Sequence, residues 1–451
     1  MWTTLPLLLA CSAPADPPFT AGPQRAEVAG KNILVVLLDD VATDRIGVYG
    51  EHPQPARTPT IDALASRGLR FTEAYAYPVC SPSRAALLTG RHGRRTGIGY
   101  NVRPDADYEL PAHEGAVGEM LAAGTTPYTS VGVGKWHLQP RNRQSIAHPK
   151  SFGFDQWSGA IGNLVLPDSY TDYRWYDDDG AVHDHESAYL TTREVDVALR
   201  LVQQTPEPWF VLAALHAPHF PWSAPPDHLV SEPVAPDASD SDLYDAMLEA
   251  ADTELARLLD AVDLDDTLVV VLGDNGNPKE VVRPPLQSQH GKGTMYEAGV
   301  RVPWIMAGVG ITPGVTDELV HIVDLFPTFA EMAGSTPQRD GYPIDGRSLW
   351  PLVRGERDTH RATLFTEKYY TRNNRASLRM VRDDRYKLIE RGGGKEGLHD
   401  LADRHDDGPN LLEAPLAPEA QAAYDALRRE LTTTHQALGR SPVERSIPGC
   451  Q

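Results

Sequence analysis

Asn32-Ile33-Leu34-Val35-Val36-Leu37-Leu38-Asp39-Asp40 decides the fold: six apolar residues without polar alternation run straight into two carboxylates. Such a run suits a strand buried on both faces, the kind found in parallel sheets covered by helices. Outward from it, Thr58-Pro59-Thr60 opens a helix, with Thr58 as N-cap, Pro59 at the first helical position and Ile61, Leu64, Ala65 and Gly68 on one face. Further buried strands fit Tyr128 to Val133, Trp209 to Ala214 and Leu268 to Leu272. Between the last two runs a long helix, whose stripe is Leu243, Met247, Leu248, Ala251, Leu255, Leu258, Leu259 and Val262. Strands alternating with helices predict an α/β body with a large, mostly parallel sheet. After Gly346 the pattern changes: Ala362 to Phe365, Leu378 to Val381 and Tyr386 to Leu388 read as short strands, followed by a helix through Ala422, Leu427 and Leu431. The expected organisation is a leader and tether over 1–30, a catalytic body over 31–350, and a smaller C-terminal α+β domain with a short antiparallel sheet over 351–451.

The 451 residues, 41% hydrophobic and 23% charged, are a globular composition of a size for one large domain and a smaller one. Against 42 Lys and Arg stand 62 Asp and Glu, a formal charge of −20, which argues against a nucleic-acid binder because phosphate needs a basic footprint. No stretch approaches the roughly 18 apolar residues of a membrane span. The three cysteines, Cys11, Cys80 and Cys450, cannot make a disulfide framework. Cys11 follows Leu5-Pro6-Leu7-Leu8-Leu9-Ala10, which resembles a bacterial lipoprotein signal and predicts export, with Cys11 as a candidate lipid anchor.

Two strands end in oxygen donors: the first in Asp39-Asp40, and Leu268 to Leu272, through Gly273, in Asp274-Asn275. In open α/β sheets ligands bind beyond the carboxyl ends of strands. Acidic pairs brought together there repel unless a cation lies between them, and three carboxylates with an amide oxygen suit Ca²⁺ or Mg²⁺. Asp and Asn are also common after strands as turn formers. Cys80-Ser81-Pro82-Ser83-Arg84 opens another helix, so Cys80 sits where free N–H groups favour an anion. A bare cysteine there is expected to be a low-pKa thiolate, the plainer alternative being a buried core thiol.

Cys80-x-Pro82-Ser83-Arg84 resembles the signature of the sulfatases that use a formylglycine residue, members of the alkaline phosphatase superfamily. Other blocks are similar in the same order: Leu38-Asp39-Asp40, Leu87 to Arg91, Gly134-Lys135-Trp136-His137-Leu138, Ala217-Pro218-His219-Phe220-Pro221 and Gly273-Asp274-Asn275-Gly276. His290-Gly291-Lys292-Gly293, Glu297 to Pro303, Leu398 to Leu401 and Asn410-Leu411-Leu412 continue the series. Where many members have two glycines after the glutamate, this chain has Ala298-Gly299, tolerable if Ala298 keeps a negative φ.

The resemblance implies an alkaline phosphatase-like fold and an arylsulfatase-like hydrolase of aryl or carbohydrate sulfate esters. It implies that a formylglycine-generating enzyme oxidises Cys80 to an aldehyde. Asp39, Asp40, Asp274, Asn275 and the modified Cys80 would hold the cation, most often Ca²⁺. Lys135 and Lys292 would clamp the sulfate, His219 would protonate the departing oxygen, and Arg84 and His137 would orient the hydrated aldehyde. Plainer roles exist for each: solvated lysines, hydrogen-bonded histidines, an arginine paired with an acid. Relatives with the same signature cleave phosphonate monoesters or phosphodiesters, which is the nearest alternative activity, and a binding protein without turnover is a third reading. Tyr170, Tyr173, Trp175 and Tyr176, in the aromatic stretch from Ser169 to His185, either pack that loop or touch substrate.

Overall fold

In the computed structural model, which describes residues 28–337, 342–370, 373–402 and 406–439, the run Asn32–Leu38 is a strand buried along its whole length. Cys11 and Cys450 lie outside these residues. Alternation splits the strand between two cores. Ile33, Val35 and Leu37 join one apolar cluster, and Leu34, Val36 and Leu38 join the other, on the opposite face of the sheet. That is why no polar alternation shows in the sequence.

The strand is central in an eight-stranded sheet. The order is Gly314–Thr316, Leu69–Phe71, Trp304–Gly308, Thr267–Gly273, Asn32–Leu38, Trp209–Ala214, Thr129–Gly134 and Gln156–Ser158. Only the two pairings of Trp304–Gly308 are antiparallel; the others are parallel. Val35 faces Leu212 on one neighbour and Val270 on the other.

Helices cover both faces. Pro59–Arg67 buries Ile61, Leu64 and Ala65 as its pattern predicts, but Thr58 does not cap it. The Asp252 carboxylate does so from the long helix Asp240–Leu259, accepting from the Thr60 and Ile61 amides at 2.8 Å. In that long helix the buried stripe runs through Tyr244 instead of Leu243, and Val262 lies beyond its end. Tyr244 takes the inward place because its hydroxyl has buried acceptors, the Asp40 carbonyl at 2.6 Å and Asn277 Oδ1 at 3.1 Å.

The C-terminal region forms a four-stranded antiparallel sheet in sequence order: Leu364–Tyr370, Asn373–Arg382, Tyr386–Arg391 and Lys395–Asp400. Helix Pro418–Leu438 lays Leu427 and Leu431 against Val381, Leu388 and Leu398. The sheet is tied to the body by polar groups. Glu367 accepts from the Arg94 amide at 2.8 Å, Tyr369 donates to the Gly93 carbonyl at 2.7 Å, and the buried Lys387 ammonium pairs with Glu297 at 2.6 Å and with Asp407.

The aromatic stretch Ser169 to His185 packs on the body. Tyr170, Tyr173, Trp175 and Tyr176 are all buried, so they are packing residues, not an open substrate face.

Candidate active site

The site lies beyond the carboxyl ends of four adjacent strands. Leu38 and Gly273 are register partners, so Asp39-Asp40 and Asp274-Asn275 emerge side by side. The Asp40 amide donates to Asp274 Oδ1 at 3.2 Å, and the Asp274 amide to the Leu38 carbonyl at 2.9 Å. Thr129–Gly134 leads into Lys135 and His137, and Trp209–Ala214 leads into His219.

Two residues here have left-handed backbone, Asp40 at φ 73° and His137 at φ 57°, the only non-glycine cases among the described residues. Such conformations persist where surrounding bonds over-determine them. The His137 amide donates to the Ile161 carbonyl at 2.8 Å, and its carbonyl accepts the Ser81 hydroxyl at 2.7 Å. His219 is held through Tyr170, whose hydroxyl donates to its carbonyl at 2.9 Å. Its Nδ1 lies 2.6 Å from the Phe220 carbonyl oxygen, so Nδ1 carries the proton and Nε2 faces the site, 3.8 Å from Asp40.

Cys80 is the first residue of helix Cys80–Thr89 and is fully buried. Its Sγ lies 3.3 Å from Asp39, 3.9 Å from Asp40, 3.5 Å from Lys135 Nζ and 3.2 Å from Lys292 Nζ. Lys135 also bonds Asp39, and Lys292 bonds Asp40. Four residues on the same helix, Arg84 reaches Asp274 Oδ2 at 2.8 and 3.1 Å and the Lys135 carbonyl at 2.6 Å. Cys80, Arg84, Lys135, His219 and Lys292 are thus brought together around Asp39, Asp40 and Asp274, with the backbone of His137 fixed beside them, and Lys135, at 1% exposure, is no solvated surface charge.

The charges balance: Asp39, Asp40 and Asp274 against Arg84, Lys135 and Lys292. A divalent cation added to such a neutral site leaves room for two negative charges of a ligand. Burial favours the neutral acid of Asp39, but Lys135, His219 and Arg84 outweigh it and hold the carboxyl well below its usual range. Asp40 is pushed up to about 7 by burial and by the Asp39 and Asp274 charges, against Lys292. Burial, with Lys135, holds His137 and His219 below the usual histidine range.

The thiol differs from expectation. Burial first, then Asp274 and Asp39, push Cys80 upward, so the bare cysteine is a neutral thiol and not a low-pKa thiolate. The helix N-terminus and two lysines do not overcome dehydration beside carboxylates.

Donor chemistry fits a metal ion. Ligand atoms of Asp39, Asp40, Cys80 and His219 lie within 4.8 Å of one another. Asn275 Nδ2 donates to Asp40 at 2.7 Å, while its Oδ1 is buried without a partner among the described residues. A buried amide oxygen lacking a donor is costly, and a cation would satisfy it. Asp274 stands slightly apart, one oxygen engaged by Arg84 and the other by the Asp40 amide.

Tyr244 and Asn277 escaped the sequence reading, and the bonds by which Ser81 and Tyr170 hold the backbone of His137 and His219 are not marked in it. Asn277 accepts from the Ala42 amide at 2.8 Å and donates to Asp44 at 2.6 Å, bracing the Asp39-Asp40 turn. Only its place two residues after Asn275 could have signalled it. Ala298 keeps a negative φ, as its tolerance requires, and a Cβ on Gly276 would come within 2.0 Å of the Ala298 carbonyl, so that glycine is needed for close approach.

Fold and site together define an alkaline phosphatase-like hydrolase. The chain matches the Sulfatase family over residues 31–335 and the C-terminal region of N-sulphoglucosamine sulphohydrolase over residues 288–437. It is 33% identical over 425 residues to arylsulfatase A of Bos taurus, covering 86% of this chain and 77% of that protein. With N-acetylgalactosamine-6-sulfatase of Homo sapiens it shares 34% identity over 359 residues, 71% of this chain and 65% of that protein. Among solved structures, Ps i-CgsB in complex with k-i-k-neocarrahexaose superposes with a TM-score of 0.78 at 23% identity, covering 92% of this chain and 94% of that one. BT4656 in complex with its substrate D-glucosamine-2-N,6-O-disulfate gives a TM-score of 0.72 at 21% identity, over 92% and 100%. The chain belongs to the sulfatase family, and its activity is the hydrolysis of sulfate esters.

Proposed function

We propose that the enzyme cleaves aryl or carbohydrate sulfate esters through a formylglycine at position 80. The observation that carries this is the convergence of Lys135 Nζ and Lys292 Nζ on the Cys80 sulfur, 3.5 and 3.2 Å away. A neutral thiol is a poor nucleophile, whereas the aldehyde made from it by a formylglycine-generating enzyme adds water to give two hydroxyls at the same point.

Asp39, Asp40, Asp274 and Asn275, with the residue-80 oxygen, would hold Ca²⁺ or Mg²⁺, which would supply positive charge for one hydroxyl's deprotonation and for the sulfate oxygens. One deprotonated hydroxyl of residue 80 attacks sulfur in line, and the bond from sulfur to the departing oxygen breaks. His219, which takes up a second proton at Nε2 from solvent once the sulfate is bound, gives that proton to the departing oxygen. Negative charge from the bound sulfate raises the proton affinity of His219, which is otherwise held low by burial and Lys135. Lys135 and Lys292 neutralise the sulfate oxygens from fixed positions. His137, whose Nδ1 is buried without a partner among the described residues, takes the proton of the second hydroxyl. The C–O bond to sulfate then breaks and the aldehyde returns. Arg84 fixes Asp274 and the Lys135 backbone, keeping metal ligand and sulfate clamp in register.

Export by a leader within residues 1–30, with Cys11 as lipid anchor, and a division into 31–350 and 351–451 complete this reading. Among the described residues no helix is long and apolar enough to cross a membrane.

Parallel assays on an aryl sulfate and an aryl phosphodiester test the activity. Preference for the sulfate supports the reading, and a large preference for the phosphodiester replaces it with phosphodiester or phosphonate monoester hydrolysis.

A further inference from the structure

Lys368 is a charge without a counter-charge. The residue is 8% exposed, and its ammonium donates to the Gly293 carbonyl. Among the described residues no carboxylate pairs with it. The charged neighbour that acts on it is another cation, the half-buried Lys279. Burial first, then Lys279, push Lys368 down to about 8. Buried lysines are normally paired, and an ammonium has three donors, of which the Gly293 carbonyl takes one. Among the described residues neither lysine forms an ion pair, and in a chain of net charge −20 two such neighbouring cations point to an anion supplied from outside.

The place is next to the chemistry. Gly293 follows Lys292, and its amide donates to the Pro78 carbonyl at 2.8 Å, two residues before Cys80. A Cβ on Gly291 would lie 3.2 Å from the Lys279 Cα, so Lys279 packs against the same loop. Lys368 Nζ also lies 5.8 and 6.0 Å from the ring centres of Tyr100 and Tyr370, whose half-buried rings are 4.3 Å apart. Tyr100 adjoins Asn101, whose Oδ1 accepts from the Ser81 amide at 3.2 Å. Cations and aromatic rings thus meet one residue away from both Lys292 and Ser81.

We propose that Lys368 and Lys279, walled by Tyr100 and Tyr370, form a second anion subsite that takes a carboxylate or further sulfate of the saccharide whose sulfate ester is cleaved. The natural substrate is accordingly a saccharide with at least two anionic groups, the rings packing a sugar face while the lysines bind the second charge. This rests on the sulfate-ester reading of the neighbouring site.

The test is calorimetric binding of three matched ligands: a monosulfated neutral sugar, the same sugar with a second sulfate, and the same sugar with a carboxylate. Wild type is expected to bind one doubly anionic ligand about tenfold or more tightly than the monosulfate, less so as salt rises. Lys368→Met should reduce that ratio to about twofold, and Lys368→Arg should restore part of it. Lys279→Gln, nearer the surface, should lower the ratio even if the Lys368 variants fail to fold. The ligand with the larger ratio identifies the second group as carboxylate or sulfate. Equal binding of all three by wild type, or a ratio that survives both Lys368→Met and Lys279→Gln, overturns the subsite. Release of sulfate from the same ligands is scored separately: Lys368-dependent binding without release from any ligand leaves the subsite standing and removes the sulfatase reading.

Discussion

Arg84 Nη2 and Nε both bind one oxygen of Asp274, at 2.8 and 3.1 Å, joining the helix that begins at Cys80 to the strand end that supplies Asp274. Both side chains are buried, 3% and 0% exposed, so each neutralises a charge that water cannot reach. Arg84→Lys keeps the charge but loses the fork and the bond to the Lys135 carbonyl. Its expected effect is a loss of kcat/KM of a hundredfold or more, and removing the guanidinium altogether should cost about 3–5 kcal/mol of stability. Kinetics and denaturant titration of the two variants check this. Wild-type kcat/KM in Arg84→Lys would contradict it.

Cation binding should stabilise the fold. At a hundred times Kd a ligand bound only by the folded state adds about 2.7 kcal/mol. Ca²⁺ or Mg²⁺ is expected to raise the melting temperature of wild type and to do so far less in Asp39→Asn. A chelator should abolish activity, and its reversal by one of the two ions tells which is used.

His219 as proton donor predicts a dependence on the leaving group. His219→Ala should slow sulfate esters of sugars or alkyl alcohols by about 10²–10⁴-fold. Nitrophenyl sulfate, whose departing oxygen needs little protonation, should suffer much less. Equal losses on both classes would move His219 from proton transfer to sulfate binding.

How far the sequence could be read depends on how far apart the partners lie. The central strand was legible because both its faces are buried, so apolarity alone marks it. The side-by-side exit of Asp39-Asp40 and Asp274-Asn275 followed from strand ends and family order. The ionisation of Cys80 was not legible, because local helix geometry argues for a thiolate while Asp274, 194 positions away in the chain, argues for a thiol. The cap of Pro59–Arg67 was misread for the same reason, since Asp252 comes from another helix. Lys368 drew no notice because nothing in Glu367-Lys368-Tyr369 says that the lysine points inward without an acid.

Acid should weaken the junction between body and C-terminal sheet. Burial first, then Lys387, push His290 and His399 down to about 4 from the usual 6.5. Between those values the unfolded chain binds more protons than the folded one, so stability is full above about 6.5 and falls as pH drops toward 4. Denaturant midpoints measured from pH 7.5 to 4.5 should decline, more gently in His399→Gln. A flat profile would mean that the two rings are solvated.

The mass of the tryptic peptide Phe71 to Arg84, from protein made in its own host or beside a formylglycine-generating enzyme, tests the central claim most directly. Formylglycine at position 80 predicts a peptide lighter by the loss of H₂S and the gain of one oxygen, with no thiol left to alkylate. An intact, alkylatable Cys80 in protein that has met the generating enzyme would contradict the mechanism.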